Sequence, residues 1–131
     1  MKGELLFLVI ILAIGQVACN KEEPLTPSAN FTTNIQNNTL MAGQGFVVYL
    51  DDVQGEFLTY FRGNTFETTY DPNDPRKRGT AFSSDLDSLV LPGYSTPDTT
   101  FVFTLVASSS GNWAKDYVQD VKSISIAITA P

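Results

Sequence analysis

Oxygen-bearing side chains in two predicted turns are the residues of this sequence best suited to hold a metal ion. Asp51 and Asp52 follow an apolar stretch, and Asp71, Asn73 and Asp74 lie in a second, proline-bearing turn. Calcium takes about six to eight oxygen ligands, often from loops. The spacing matches no EF-hand loop, and Asp and Asn are ordinary turn formers. We therefore predict turn chemistry and no cofactor, with these five residues as the calcium alternative.

A second group of residues could bind a ligand by stacking. Trp113 is the only tryptophan, Tyr117 follows four residues later, and Tyr94 is the third member. Exposed rings offer apolar faces on which sugars stack, so together the three could form a platform for a glycan. The alternative is that these rings are buried against one end of the domain, because large aromatic side chains dominate cores.

The composition excludes several classes of function. The 131 residues contain no histidine, which rules out a Ser-His-Asp triad, a Cys-His dyad and histidine-ligated zinc or iron. The single cysteine allows no disulfide within the chain. A net charge of −6 disfavours nucleic acid as a partner. We predict that the protein is not an enzyme and does not bind nucleic acid.

Short apolar stretches separated by turn residues are the elements that must position these side chains. Strands are predicted at 29–33, 46–50, 56–61, 65–70, 86–91, 101–107 and 122–128. The stretch 46–50 is apolar on both faces, which predicts a strand covered on both sides. Residues 101–107 and 122–128 alternate with period two, and residues 71–79 form a loop. About seven strands in this length predict an all-β, antiparallel β-sandwich at 29–131.

The amino terminus has the pattern of an export signal. Ten apolar residues, 5–14, follow Lys2 and precede the only cysteine. A helix of that length rises about 15 Å, roughly half of a bilayer core. Residues 1–18 are thus predicted to be a signal-peptide helix. Gln16-Val17-Ala18-Cys19 resembles the lipobox of bacterial lipoproteins, which implies acylation of Cys19 and a membrane anchor.

The polar, proline-bearing stretch 19–28 is predicted to be a flexible tether. Within it, Lys21, Glu22 and Glu23 resemble the signal that directs lipoproteins to the cell surface in some Gram-negative groups. The resemblance implies an outer-membrane lipoprotein at the cell surface, with the periplasmic face of the outer membrane as the alternative.

The sandwich itself resembles a PKD-type, immunoglobulin-like domain over about residues 28–129. Ala29-Asn30-Phe31 resembles the opening of the first strand of that family, and residues 45–51 resemble its second strand. Pro92-Gly93 and the strand at 101–107 resemble the turn and long strand near its end. Members of the family mostly bind proteins or glycans or act as spacers.

Two triplets, Asp87-Ser88-Leu89 and Asp98-Thr99-Thr100, resemble acceptor sites for O-glycans on exported proteins. The resemblance implies modification at Ser88 and Thr99 if both lie in exposed loops. Taken together, the sequence predicts a non-enzymatic surface lipoprotein with a binding or adhesion role, its ligand a glycan or an envelope protein. The alternative is a structural accessory subunit of a larger outer-membrane assembly.

Overall fold

The computed structural model describes residues 26–71, 73–109 and 118–131. Within these ranges the chain forms ten strands and one 3-10 helix, Pro75–Lys77, and no α-helix. The strands are β1 (Ser28–Ala29), β2 (Thr32–Thr33), β3 (Thr39–Met41), β4 (Phe46–Tyr49), β5 (Val53–Gln54), β6 (Phe57–Gly63), β7 (Thr80–Phe82), β8 (Ser88–Leu91), β9 (Thr99–Ser108) and β10 (Gln119–Thr129). The prediction of an all-β domain is therefore confirmed.

Two sheets face each other and form a β-sandwich. The larger sheet has the strand order β3-β10-β9-β6-β7, the smaller has the order β2-β4-β8, and β1 pairs separately with β5. The central hairpin joins β9 to β10 from Ser108↔Gln119 to Thr99↔Ile128. The strand pairs are antiparallel except β3 with β10, which is parallel. The predicted sandwich is confirmed, and its last strand has one parallel neighbour.

Aromatic rings from both sheets fill the space between them. Phe103 of β9 meets Phe46 of β4 edge-on, with ring centroids 6.0 Å apart, and meets Phe31 at 5.2 Å. Such pairs contribute about 0.5–1.5 kcal/mol beyond the burial of apolar area. The fully or nearly fully buried side chains of the central hairpin on this face are Phe103, Leu105, Ala107, Ile126 and Ile128. The predicted period-two pattern of both strands is confirmed.

The outer face of the smaller sheet is open, contrary to the prediction for residues 46–50. Phe46 and Val48 are buried in the core, but Tyr49 is 40% exposed. Val90, on the neighbouring strand β8, is 79% exposed. The apolar run of β4 therefore covers one face only, because no described segment packs over the other.

The strand that is buried on both faces is β9. Val102, Thr104 and Val106 point away from the core and are buried as well. On the same face of the sheet, the loop that precedes β7 lies against the neighbouring strand β6, where a Cβ atom on Gly79 would stand 2.8 Å from Phe61 Cε1. A larger residue at position 79 would therefore force a side chain of β6 to shift.

The predicted strand at 65–70 is wrong. This stretch is irregular, and its side chains Phe66 and Tyr70 are exposed. Strand β6, which precedes this stretch, already pairs with β9 on one edge and with β7 on the other, so residues 65–70 cannot pair with it. The loop predicted at 71–79 is confirmed and contains the 3-10 helix. The short strand β5 lies in the turn predicted after Asp51 and Asp52, and the short strand β3 lies between the predicted strands 29–33 and 46–50.

No helix in the described part of the chain is both long enough and apolar enough to cross a membrane.

Candidate ligand groove

A groove of about 630 Å³ opens at one end of the sandwich, between the β2–β3 turn and the start of β4. Sites for small ligands typically have about 300–1,000 Å³. The residues that line it are all uncharged: Asn34, Ile35, Gln36, Asn37, Thr39, Leu40, Gln44 and Gly45. Four of these side chains are amides, so the groove offers both donors and acceptors without a net charge.

A tight turn forms one wall of the groove. The Thr39 N–H donates to Gln36 O at 3.1 Å, and the two residues between, Asn37 and Asn38, have φ values of 55° and 52°. Asparagine tolerates this left-handed conformation better than most residues. The turn is also held to β10, because the Ala127 N–H donates to Asn38 O at 2.9 Å. The wall is therefore pre-formed by backbone hydrogen bonds.

Two amide side chains in the groove are held by the backbone. Asn34 Oδ1 accepts from the Val47 N–H at 2.8 Å, and Gln44 Oε1 accepts from the Met41 N–H at 3.0 Å. Each amide oxygen is thus engaged, while each NH₂ group has no partner in the described part of the protein. Such an NH₂ group carries two N–H donors. The arrangement suits a ligand rich in hydroxyl or carbonyl oxygens.

The groove lies at the end of the sandwich opposite to the predicted tether. Near the start of β10, Asp120 Oδ2 accepts a hydrogen bond from Ala29, the last residue of β1. Near the end of β10, Ile128 pairs with Leu40, which lines the groove. Eight residues of strand separate Asp120 from Ile128, a distance of roughly 26 Å. The chain therefore enters the domain at one end and presents the groove at the other.

The calcium candidates occupy two separate turns. Asp51 and Asp52 are exposed in the turn before β5. In the second turn, Asp71 Oδ1 accepts from the Asn73 N–H at 2.9 Å, and Asp74 Oδ1 accepts from the Arg76 N–H at 3.0 Å. These are the contacts of turn-forming side chains. In the described ranges no three acidic or cysteine side chains cluster as metal ligands.

Asp74 has a further partner in the same turn. Its carboxylate accepts from the Arg76 guanidinium at 3.1 Å and 3.2 Å. This side-chain hydrogen bond, with the backbone N–H of Arg76, lowers the pKa of Asp74 below its ordinary value. The carboxylate is thus committed to capping the 3-10 helix.

Of the three residues of the predicted aromatic platform, Tyr94 is the one that the structure describes. It is 8% exposed, and its ring stacks on Phe101 with centroids 4.2 Å apart. Trp113 and Tyr117 lie outside the described residues.

The two glycan-acceptor candidates begin strands instead of lying within loops. Ser88 is the first residue of β8 and Thr99 the first of β9, and both are half-buried. The Thr99 hydroxyl donates to Thr96 O at 2.7 Å. The aspartates that precede them, Asp87 and Asp98, are exposed. The lipidation candidate Cys19 and the export-signal residues Lys21, Glu22 and Glu23 lie outside the described ranges.

The residues of the groove are not among the predicted site residues. The asparagine-rich stretch 34–39 is typical of a turn, and its backbone forms one. Gln44 comes from a different segment, and sequence spacing gives no sign that it lines the same groove as Asn34. A signal is nonetheless present, because five amides occur within the eleven residues 34–44 and turn formation requires only some of them.

Comparison with known proteins adds no relative: no family model matches the chain, and neither a curated protein nor a solved structure matches it significantly.

Proposed function

We propose that this protein is a non-enzymatic, lipid-anchored outer-membrane lipoprotein whose immunoglobulin-like, PKD-type sandwich binds a glycan at the cell surface. The anchor is the acylated Cys19, and residues 19–28 are the tether. The single observation that carries the binding role is the amide-lined groove at the end of the domain opposite to the tether.

The chemistry of the groove favours a glycan. Sugar hydroxyls both donate and accept hydrogen bonds, as amide side chains do. Asn34 and Gln44 are held in place by backbone N–H groups, so little side-chain entropy is lost when a ligand binds. The absence of charge from the lining residues suits a neutral sugar ring better than a charged peptide.

The position of the groove favours a ligand outside the membrane. A chain anchored at Cys19 reaches the sandwich at β1, beside Asp120. The opposite end of β10, where the groove lies, is then the part of the domain farthest from the point of attachment. Such a placement leaves the groove open to polysaccharides of the surroundings or of a neighbouring cell.

The alternative function is that of an accessory subunit in an outer-membrane assembly, and an open sheet edge favours it. The Leu50 N–H donates to Asp87 O, so these two residues form a hydrogen-bonded pair between β4 and the start of β8. In an antiparallel ladder such pairs alternate with pairs that are not hydrogen-bonded. The backbone N–H and C=O groups of Ser88 and Val90 therefore point away from β4. No described strand pairs with this edge of β8. An exposed edge of this kind can accept a strand from a partner protein.

A binding screen separates the two functions. The purified full chain in detergent micelles is passed over immobilised neutral polysaccharides and, separately, over solubilised envelope proteins. We expect retention on a polysaccharide that is lost when Gln36→Ala is combined with Asn37→Gly, a substitution that keeps the left-handed backbone but removes the amide. Gln119→Ala removes an exposed amide at the tether end and is the matched control.

Capture of one envelope protein without polysaccharide retention would contradict the glycan proposal. In that case Val90→Lys should abolish capture, because a charged residue on an edge strand opposes strand addition. Val118→Lys, also on an exposed valine but at the tether end, should leave capture intact.

The anchor is tested independently of the ligand. Cys19→Ala should release the protein from the membrane fraction and remove the acyl mass found by mass spectrometry. Replacing Lys21, Glu22 and Glu23 with alanine should keep the acyl chains but protect the protein from protease added to whole cells. Equal protease sensitivity of this variant and the wild type would show that the three residues are not an export signal.

A further inference from the structure

At the groove end of the sandwich, a half-buried arginine stands without an acidic partner among the described residues. Arg62 lies on β6, and its guanidinium carbon is 4.6 Å from the centroid of the Tyr94 ring and 5.7 Å from that of Phe46. Its Nη2 donates to the carbonyl oxygen of Pro92. Its Nε is buried and has no hydrogen-bond partner among the described residues. A guanidinium normally uses more of its five donors than this.

The tyrosine beside it has an unused polar atom too. Tyr94 is more than nine-tenths buried, with one ring face on Phe101, and its hydroxyl has no partner in the described part of the protein. Two buried side-chain polar atoms in the described ranges have no hydrogen-bond partner, and they are Arg62 Nε and the Tyr94 hydroxyl oxygen. Leaving such an atom unsatisfied is costly, so its occurrence in a folded protein calls for a partner from elsewhere.

The charge balance makes the unpaired arginine informative. The chain carries a net charge of −6, yet the ion pair found in the described ranges joins Asp74 to Arg76, not an acid to Arg62. A half-buried cation without a counter-ion is unfavourable, and an incoming anion removes that cost. Arg62 and the Tyr94 hydroxyl together offer one positive charge and donors for two oxygens. That set matches a carboxylate, which carries one negative charge on two oxygens.

This pair lies next to the groove. The Gly43 N–H donates to Tyr94 O at 2.7 Å, so the loop 43–45 rests directly on Tyr94. The same loop contributes Gln44 and Gly45 to the lining of the groove. A sugar chain in the groove could therefore place an acidic substituent on the far side of this loop.

We propose that Arg62 and Tyr94 form a carboxylate subsite, and that the ligand of the groove is an acidic, uronate-bearing glycan. The inference rests on the proposed glycan-binding function and deepens it by naming the class of sugar. Arg62 Nε and the Tyr94 hydroxyl are shielded from solvent in this structure, so a shift of the Arg62 side chain accompanies binding of the carboxylate to the two groups. The neutral sugar rings bind the amides of the groove.

The test measures binding of the purified full chain to free glucuronate, to polygalacturonate and, as neutral counterparts, to glucose and dextran. We expect polygalacturonate to bind at least about tenfold more tightly than dextran, with an affinity that falls as salt rises. Binding of free glucuronate would support the subsite, because this sugar carries the carboxylate without the rest of the polymer. Tyr94→Phe removes only the hydroxyl and should weaken binding of the acidic ligands about three- to tenfold, at an unchanged or higher melting temperature. Arg62→Gln should weaken it further, and dextran binding should persist.

Arg78→Gln is the matched control, because it removes the same charge from an exposed loop residue and should change nothing. Binding of dextran and polygalacturonate with equal affinity would overturn the subsite and leave the glycan-binding function standing. Unchanged polygalacturonate binding by Tyr94→Phe and Arg62→Gln would also overturn it, since the carboxylates would then bind elsewhere on the protein. Binding of neither polymer would overturn both proposals.

Discussion

The backbone N–H of Ala29 donates a hydrogen bond to Oδ2 of Asp120 at 2.8 Å, although 91 residues separate them. Ala29 is fully buried at the end of β1, and Asp120 is the second residue of β10. The bond ties the first strand after the predicted tether to the central hairpin. The end of the domain nearest to the proposed membrane anchor is thereby joined to the strand whose other end borders the groove.

Asp120→Ala should destabilise the domain by about 1–3 kcal/mol, because the amide of a buried residue loses its acceptor. Asp120→Asn keeps an oxygen acceptor at the same place and should cost no more than about 1 kcal/mol. Urea denaturation of both variants measures the difference. Equal losses would show that the charge of Asp120, and not its acceptor role, stabilises this end of the sandwich.

Gly93→Ala should destabilise the domain by about 1–3 kcal/mol. A Cβ atom at this position would lie 2.3 Å from Gln44 O, a backbone atom that cannot rotate away. Gly63 is the matched control, since a Cβ there meets nothing within 4 Å. Gly63→Ala in strand β6 should be neutral or stabilise by about 0.5–1 kcal/mol. Thermal unfolding of the two variants compares them directly, and similar melting temperatures would contradict the close approach.

The hydroxyls of Thr104 and Ser123, on the second face of the central hairpin, should show energetic coupling. Thr104 Oγ1 lies 2.8 Å from Ser123 Oγ, and Thr104 is fully buried. Either Thr104→Val or Ser123→Ala leaves one hydroxyl without its partner and should cost about 1–2 kcal/mol. The double variant should cost about 0.5–1.5 kcal/mol less than the sum of the single changes. A double-mutant cycle in urea measures this coupling, and strict additivity would rule it out.

The turn around Asp74 should respond to acid in a defined direction. The Arg76 hydrogen bond lowers the pKa of Asp74 in the folded protein, so the contribution of this pair is present at neutral pH. This contribution to stability begins to decrease once the pH falls below about 4, the pKa of an aspartate in the unfolded chain. It is gone when the pH has also passed below the lower pKa that Asp74 has in the folded protein. Arg76→Gln should raise the pKa of Asp74 towards its ordinary value, as measured by NMR titration of the carboxyl carbon.

Lys77→Gln is the control for that titration, because the charged side chain of Lys77 acts on the Asp74 carboxylate only through space and is the smallest cause of the lowered pKa. It should move the pKa of Asp74 less than Arg76→Gln does. A shift of equal size in both variants would mean that net charge, and not the hydrogen bond, holds the pKa down.

Local patterns of residues were enough to predict the all-β sandwich and most of its longer strands. Alternation along 101–107 and 122–128 predicts which side chains of β9 and β10 are buried, because successive residues of a strand face opposite sides. Proline and glycine in 71–79 predict a loop for an equally local reason. Such features depend on neighbouring residues alone, and a sequence displays them directly.

Long-range packing sets which faces are covered and where a site forms. The apolar stretches of β4 and β9 look alike in sequence, yet β4 has an open outer face while β9 is buried on both faces. Residues 65–70 alternate as a strand would, but both edges of the preceding strand, β6, are already paired. The groove joins Asn34 to Gln44, and the proposed carboxylate subsite joins Arg62 to Tyr94, across different segments of the chain. These relationships depend on long-range pairing, which the local pattern of side chains does not encode.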